Sequence, residues 1–168
     1  CERTGVKIAV ENHLTVPFTA DFESGGHEGD RWDEGVDTLA QIKRLVTDID
    51  SDHLGVCVAP PHLWVEQETI GDVVRFLMER KKLFHYYVWD IDHAYTRGQD
   101  GLDFGPGEEQ LPRPDGVLDW KVLLGDLAAS GYEGVASLKC HGTGGWALDY
   151  VNDKMRASAE YVRACLPA

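Results

Sequence analysis

Glu11, Asn12 and His13 stand together after the apolar run Val6-Lys7-Ile8-Ala9-Val10 and bring a carboxylate, an amide and an imidazole to one point. A carboxylate can take up or release a proton, and an imidazole does so near neutral pH. Three later apolar runs, 54–62, 84–93 and 135–141, also end in polar or charged residues. His62 closes the first, Asp90, Asp92 and His93 the second, and Lys139 with His141 the third. One of Asp90, Asp92 and His93 is expected to face a pocket, and the sequence does not decide which.

Shared chemistry needs these four ends side by side. Each run has strand character and is followed by a helix-like stretch, which points to consecutive β/α units in a parallel sheet. In such sheets the C-terminal strand ends carry the chemistry. In the first strand Lys7, Ala9 and Glu11 share one face, while Val6, Ile8 and Val10 share the other.

The intervening segments supply the helices. Asp33 is placed to cap a helix through Asp48, with Val36, Leu39, Ala40, Lys43 and Val46 on or near one stripe. Pro60 and Pro61 end the second strand, because consecutive prolines cannot continue a ladder. Thr69 with Asp72 makes a capping-box-like start, and Ile70, Val73, Val74, Leu77 and Met78 then follow helical spacing. A short helix over 119–129 stops at Ser130-Gly131, and a last one over 148–165 turns Val151, Met155, Ala159 and Val162 inward. The loop 14–31 is long, polar and contains glycine, which suits a cover over a ligand or a plain insertion equally, and 94–116 is a second long loop with glycine and proline.

The totals set limits on function. With 168 residues and 43% hydrophobic content, the chain is long enough for one domain, 1–168, with a real core. Its 29 acids against 16 bases give a net charge of −13, which argues against a surface that coats nucleic acid. No apolar run approaches the roughly 20 residues of a membrane span, and the N-terminus lacks a basic flank with an apolar stretch. A soluble, cytoplasmic protein is expected. Cys1, Cys57, Cys140 and Cys165 show no C-x-x-C spacing and read as small hydrophobes, not as a zinc knuckle or disulfide framework.

Four segments, in order and spacing, resemble the C-terminal half of the xylose-isomerase-like TIM barrels. That superfamily includes sugar-phosphate isomerases and epimerases, inosose dehydratases and the endonuclease-IV-like AP endonucleases of family 2. Gly5-Val6-Lys7-Ile8-Ala9-Val10-Glu11-Asn12-His13 looks like the fifth strand, and Gly55-Val56-Cys57-Val58-Ala59-Pro60-Pro61-His62 like the sixth. Tyr87-Val88-Trp89-Asp90-Ile91-Asp92 is similar to the seventh. Leu118-Asp119-Trp120, followed by Gly131-Tyr132-Glu133-Gly134-Val135-Ala136-Ser137-Leu138-Lys139, looks like the run into the eighth. The implied fold is α/β, a half-barrel made of strands 5 to 8.

In that family Glu, Asp, His and Glu hold a divalent metal such as Mn or Zn, and those positions fall here on Glu11, Ala59, Trp89 and Lys139. Only Glu11 can bind a cation: Ala59 has no donor, the Trp89 indole only donates, and Lys139 is itself positive. A divalent site needs several O or N ligands converging at about 2 Å, so neither a metal nor another cofactor is expected. If the barrel is intact, Glu11 and Lys139 face the same central space, and the ammonium replaces the cation. The pair is then either a salt bridge filling a lost site or a catalytic base and electrophile.

The resemblance implies a sugar, sugar-phosphate or cyclitol isomerase or epimerase, with a non-catalytic carbohydrate-binding relative as the alternative. His13, His62, Trp89, Asp92, Arg97 and His141 are the expected substrate-binding residues. Arg97 would grip an anionic group, and Trp89 and Trp146 would stack on a sugar face. A small-molecule sugar is the expected ligand, with no nucleic acid and no membrane as partner. Four strands make half a barrel and leave two open edges, so either a second copy in a homodimer or an N-terminal half is expected to complete it.

Overall fold

The computed structural model describes residues 3–13, 36–91, 110–140 and 145–167. Among them are strands β1 (Ile8–Glu11), β2 (Leu54–Val58), β3 (Leu83–Val88) and β4 (Ala136–Leu138), all parallel and arranged in the order β1-β2-β3-β4. The helices are α1 (Leu39–Asp48), α2 (Pro60–Val65), α3 (Ile70–Glu79), α4 (Trp120–Ala129) and α5 (Leu148–Cys165). Strands that neighbour in sequence also neighbour in space, so the sheet is the β/α repeat read from the sequence.

One face of the sheet carries the core. Val56 and Val58 of β2 and Leu83, Tyr86 and Val88 of β3 pack with Ile42 and Val46 of α1 and with Val73, Val74 and Leu77 of α3. Trp120, Leu124 and Leu127 of α4 join the same cluster. Alternation along the strands then sends Cys57, Tyr87 and Trp89 to the other face. Between β2 and β3 the register steps from Val56 opposite Leu83 to Cys57 opposite His85, so Phe84 is one residue extra.

Several local expectations are corrected. α1 begins at Leu39 with Thr38 as its cap, not at Asp33, which lies outside the described residues. Thr38 Oγ1 accepts from Gln41 N at 3.3 Å while Gln41 Oε1 accepts from Thr38 N at 2.9 Å, a complete capping box. The buried stripe of α1 is Ile42 and Val46, whereas Ala40 and Lys43 are exposed. α2 was not expected: proline lacks an N–H and has a helical φ, so Pro60 and Pro61 start a helix as readily as they end a strand. Thr69 caps α3 by position, but its side chain makes no cap bond, and Asp72 pairs with Arg75 instead at 2.9 Å.

Other elements match. α3 buries Ile70, Val73, Val74 and Leu77. Asp119 caps α4 by accepting from Val122 N at 3.1 Å, and Gly131, at φ +78°, ends it in a conformation glycine adopts without strain. α5 half-buries Val151, Met155, Ala159 and Val162, and its deepest residues are Ser158 and Cys165. Ser158 Oγ donates to Pro112 O at 2.9 Å and ties α5 to the segment before α4. No helix among the described residues is long and apolar enough to cross a membrane.

Candidate functional site

β1 and β4 are the outer strands of the described sheet, yet side chains from their ends meet over the face opposite the main core. Lys139 continues the β4 ladder, donating its N–H to Val88 O at 3.1 Å, and so stands beside Trp89. Its Nζ lies 2.5 Å from Glu11 Oε1. The side chains remain 18% and 28% exposed, so the ion pair is partly open to solvent. The same ammonium sits 4.6 Å from the centre of the Tyr87 ring and 5.3 Å from that of Trp89. Ring faces are negative, so both rings favour the charge that Glu11 also favours.

His62 flanks Glu11 on the other side, with Nε2 3.9 Å from the same Oε1. Only 1% of this residue is exposed, because its ring is covered by the exposed His13 at 4.3 Å and met edge-on by Trp89 at 5.1 Å. Asn12 fixes this arrangement. Fully buried, it donates Nδ2–H to Ala59 O at 3.2 Å and accepts from Ala59 N at 2.6 Å. Ala59 is the N-cap of α2 and has no capping side chain, so Asn12 couples the end of β1, and with it Glu11, to the helix that carries His62.

Cys57 is opposite Glu11 in the ladder and shares its face. Burial and the Glu11 carboxylate push its thiol up to about 12 despite the opposing Lys139 charge, so it stays a neutral thiol. Tyr87 is raised by burial, with Cys57 and Glu11 adding to the effect. Neither residue was singled out in the sequence. The signal was periodicity alone: Tyr87 lies two residues before Trp89, and Cys57 lies two before Ala59.

Asp90 does not face this pocket. Its Oδ1 accepts from Ile91 N at 2.9 Å and Leu118 N at 3.1 Å, and Oδ2 accepts from Trp120 Nε1 at 3.1 Å, all inside the core. Burial raises its carboxyl above the ordinary aspartate range, against the pull of those three hydrogen bonds and of Arg113. Asp92, His93, Arg97 and His141 lie outside the described residues. Trp146 packs edge-on against Tyr150 at 5.4 Å, just before α5.

The donors at the four strand ends do not fit a divalent ion held as in the family. Glu11 already faces an ammonium, Ala59 offers only backbone groups engaged by Asn12, and Trp89 cannot accept. Among the described residues no group of three or more His, Cys, Asp or Glu side chains is arranged to hold a metal.

Comparison with known proteins agrees with this architecture. The IOLI protein solved with a zinc atom is 18% identical with a TM-score of 0.64, covering 98% of this chain and 50% of its own. A D-tagatose 3-epimerase-like protein is 23% identical with a TM-score of 0.57, covering 97% of this chain and 50% of its own. D-psicose 3-epimerase from Clostridium cellulolyticum H10, solved with D-tagatose, is 16% identical with a TM-score of 0.58, covering 79% and 45%. At such identities these likenesses show the fold, and the chain spans about half the length of each of these solved proteins. No curated protein matches the sequence. The sequence model described as xylose isomerase-like TIM barrel matches residues 1–165, and the chain belongs to that family.

Proposed function

We propose that this chain forms the C-terminal half of a carbohydrate isomerase or epimerase in which Glu11 and Lys139 share the work that the family gives to a metal and its ligands. The observation that carries the reading is the 2.5 Å contact between their side chains, made at the C-terminal strand ends and flanked by two aromatic rings. Epimerases among the solved neighbours, one of them holding D-tagatose, support a sugar or cyclitol as the substrate class.

The chemistry follows from the charges. Glu11 removes a proton from a carbon next to a carbonyl, and the Lys139 ammonium donates a hydrogen bond to the carbonyl oxygen as negative charge grows there. In an isomerisation Glu11 returns the proton to the neighbouring carbon while the hydroxyl proton passes from one oxygen to the other, and inversion of a single carbon takes its new proton from water on the face opposite Glu11. Tyr87 and Trp89 turn their ring faces toward the ammonium, and Tyr87, the more open of the two, gives the pocket an apolar wall for the C–H face of a sugar. His13 covers His62, so His13 meets the substrate first and His62 follows only when His13 moves. Asp92, Arg97 and His141 are assigned to substrate hydroxyls or an anionic group.

The whole of 1–168 acts as one unit, and a complementary β/α half, from an N-terminal segment or a second copy, completes the barrel. The free thiols of Cys57 and Cys165 suit a reducing compartment such as the cytoplasm.

The test is a panel of ketoses, aldoses and cyclitols incubated with the protein in D₂O, followed by NMR. Deuterium uptake at a carbon next to the carbonyl is expected, with a loss of 100-fold or more in Glu11→Gln and Lys139→Ala, in line with the roughly 10²–10⁴-fold worth of a positioned acid or base. Full rates in both variants would remove the pair from the mechanism. A second reading is favoured by the direct contact itself, which neutralises both groups: the site binds a sugar without reacting. Saturable sugar binding with no deuterium uptake is its signature.

A further inference from the structure

We propose that Glu11, His62 and the ring faces of Tyr87 and Trp89 form a cation pocket whose occupant is the tethered ammonium of Lys139, so that removing this side chain opens a site for a free cation. The inference deepens the reading above by treating Lys139 as a resident counter-ion, a property that holds whether or not the protein turns over a sugar.

The neighbours of Nζ select for positive charge. A carboxylate oxygen lies 2.5 Å away, and two ring centroids lie at 4.6 and 5.3 Å. His62 packs beside the carboxylate, its Nε2 3.9 Å from the same oxygen and its ring set between His13 and Trp89. By contrast, Lys7 on the same face of β1 sits over one ring, Phe84, at 5.0 Å, an ordinary surface contact. The pocket walls come from β1, β3 and α2, whereas the ammonium enters from the end of β4 on a flexible four-carbon stem. Walls and occupant are therefore separable: truncating Lys139 leaves the carboxylate and both rings in place without their counter-charge. A partly buried anion in that setting favours uptake of a small cation.

The experiment follows thermal unfolding of the intact protein as methylammonium chloride is added, with sodium chloride at equal ionic strength as reference. Lys139→Ala is expected to gain about 2–4 °C in Tm in a saturable manner with methylammonium over sodium. Wild type and the double variant Glu11→Gln/Lys139→Ala are expected to show no such difference. A flat response in Lys139→Ala, or an equal response in wild type, overturns the proposal.

Lys139→Gln serves as a second truncation should Lys139→Ala fail to fold. A measurement on wild type keeps the question open to refutation in either case. After dialysis against MnCl₂ it is expected to retain no stoichiometric manganese, and retention abolished by Glu11→Gln would mean that the ammonium does not fill the place. A positive cation response with a negative sugar screen leaves this inference standing and removes the catalytic one, and the reverse pattern removes this one alone.

Discussion

Asp90 and Glu11 are carboxylates with opposite fates. Glu11 is partly open and faces a cation, while Asp90 is fully buried and faces three N–H donors. Desolvation raises the Asp90 carboxyl above its ordinary 3.8, so the folded protein holds this proton to a higher pH than the unfolded chain does. The stability this group contributes is therefore fully present below about 4 and is lost as pH rises through the folded value. Urea unfolding of wild type and Asp90→Asn between pH 4 and 7 should show this. The stability of wild type relative to the variant is expected to fall as pH rises and then level off. A difference that grows with pH would mean the hydrogen bonds outweigh burial. Nothing in the local sequence distinguished Asp90 from Asp92 and His93, because strand alternation fixes a face only once the register is known, and here the strand ends at Val88.

At the scale of elements, the coupling between β1 and α2 depends on one amide. Asn12→Ala would leave the buried N–H and C=O of Ala59 without their side-chain partner, an expected loss of about 1–3 kcal/mol by chemical denaturation. Asn12→Asp keeps the acceptor for Ala59 N–H but not the donor, and sets a second carboxylate near Glu11, so it should also destabilise. If both variants are as stable as wild type, Asn12 is not the clamp.

The sequence showed the alternation of β1 and the helical spacing of α3, because each has one strong periodic face. It does not show α2, because paired prolines suit the end of a strand as well as the first turn of a helix. It also hid the start of α1, where Thr38 and Gln41 satisfy each other across three residues and outcompete the acidic residue upstream. The placement of Glu11 and Lys139 at strand ends was legible from the resemblance. The roles of Cys57, Tyr87 and Asn12 were not, since those depend on which strand lies beside which.

At the scale of the whole molecule, the two outer strands of the described sheet bear on self-association. Val6, just before β1, and Ile8 within it are 54% and 46% exposed, and next to β4 Val135 is 62% exposed, with Leu148 of α5 at 73%. Among the described residues β1 and β4 each have a neighbour on one side only, and such outer strands of a parallel sheet invite pairing. The 168-residue chain alone is therefore expected to self-associate, and Ile8→Lys with Val135→Lys should shift it toward monomer in light scattering. A monodisperse monomer of the unsubstituted chain at high concentration would show that these edges are protected.

The extra residue in β3 has its own consequence. A Cβ placed on Gly55 would fall 2.4 Å from the Phe84 ring, so the phenyl group occupies the volume that any other residue at 55 would need. An insertion on one strand thus compensates for a missing side chain on its neighbour, a borrowed ring standing where residue 55 has none. Relatives that carry a larger residue at the position of Gly55 should lack the inserted phenylalanine, the two changes travelling together.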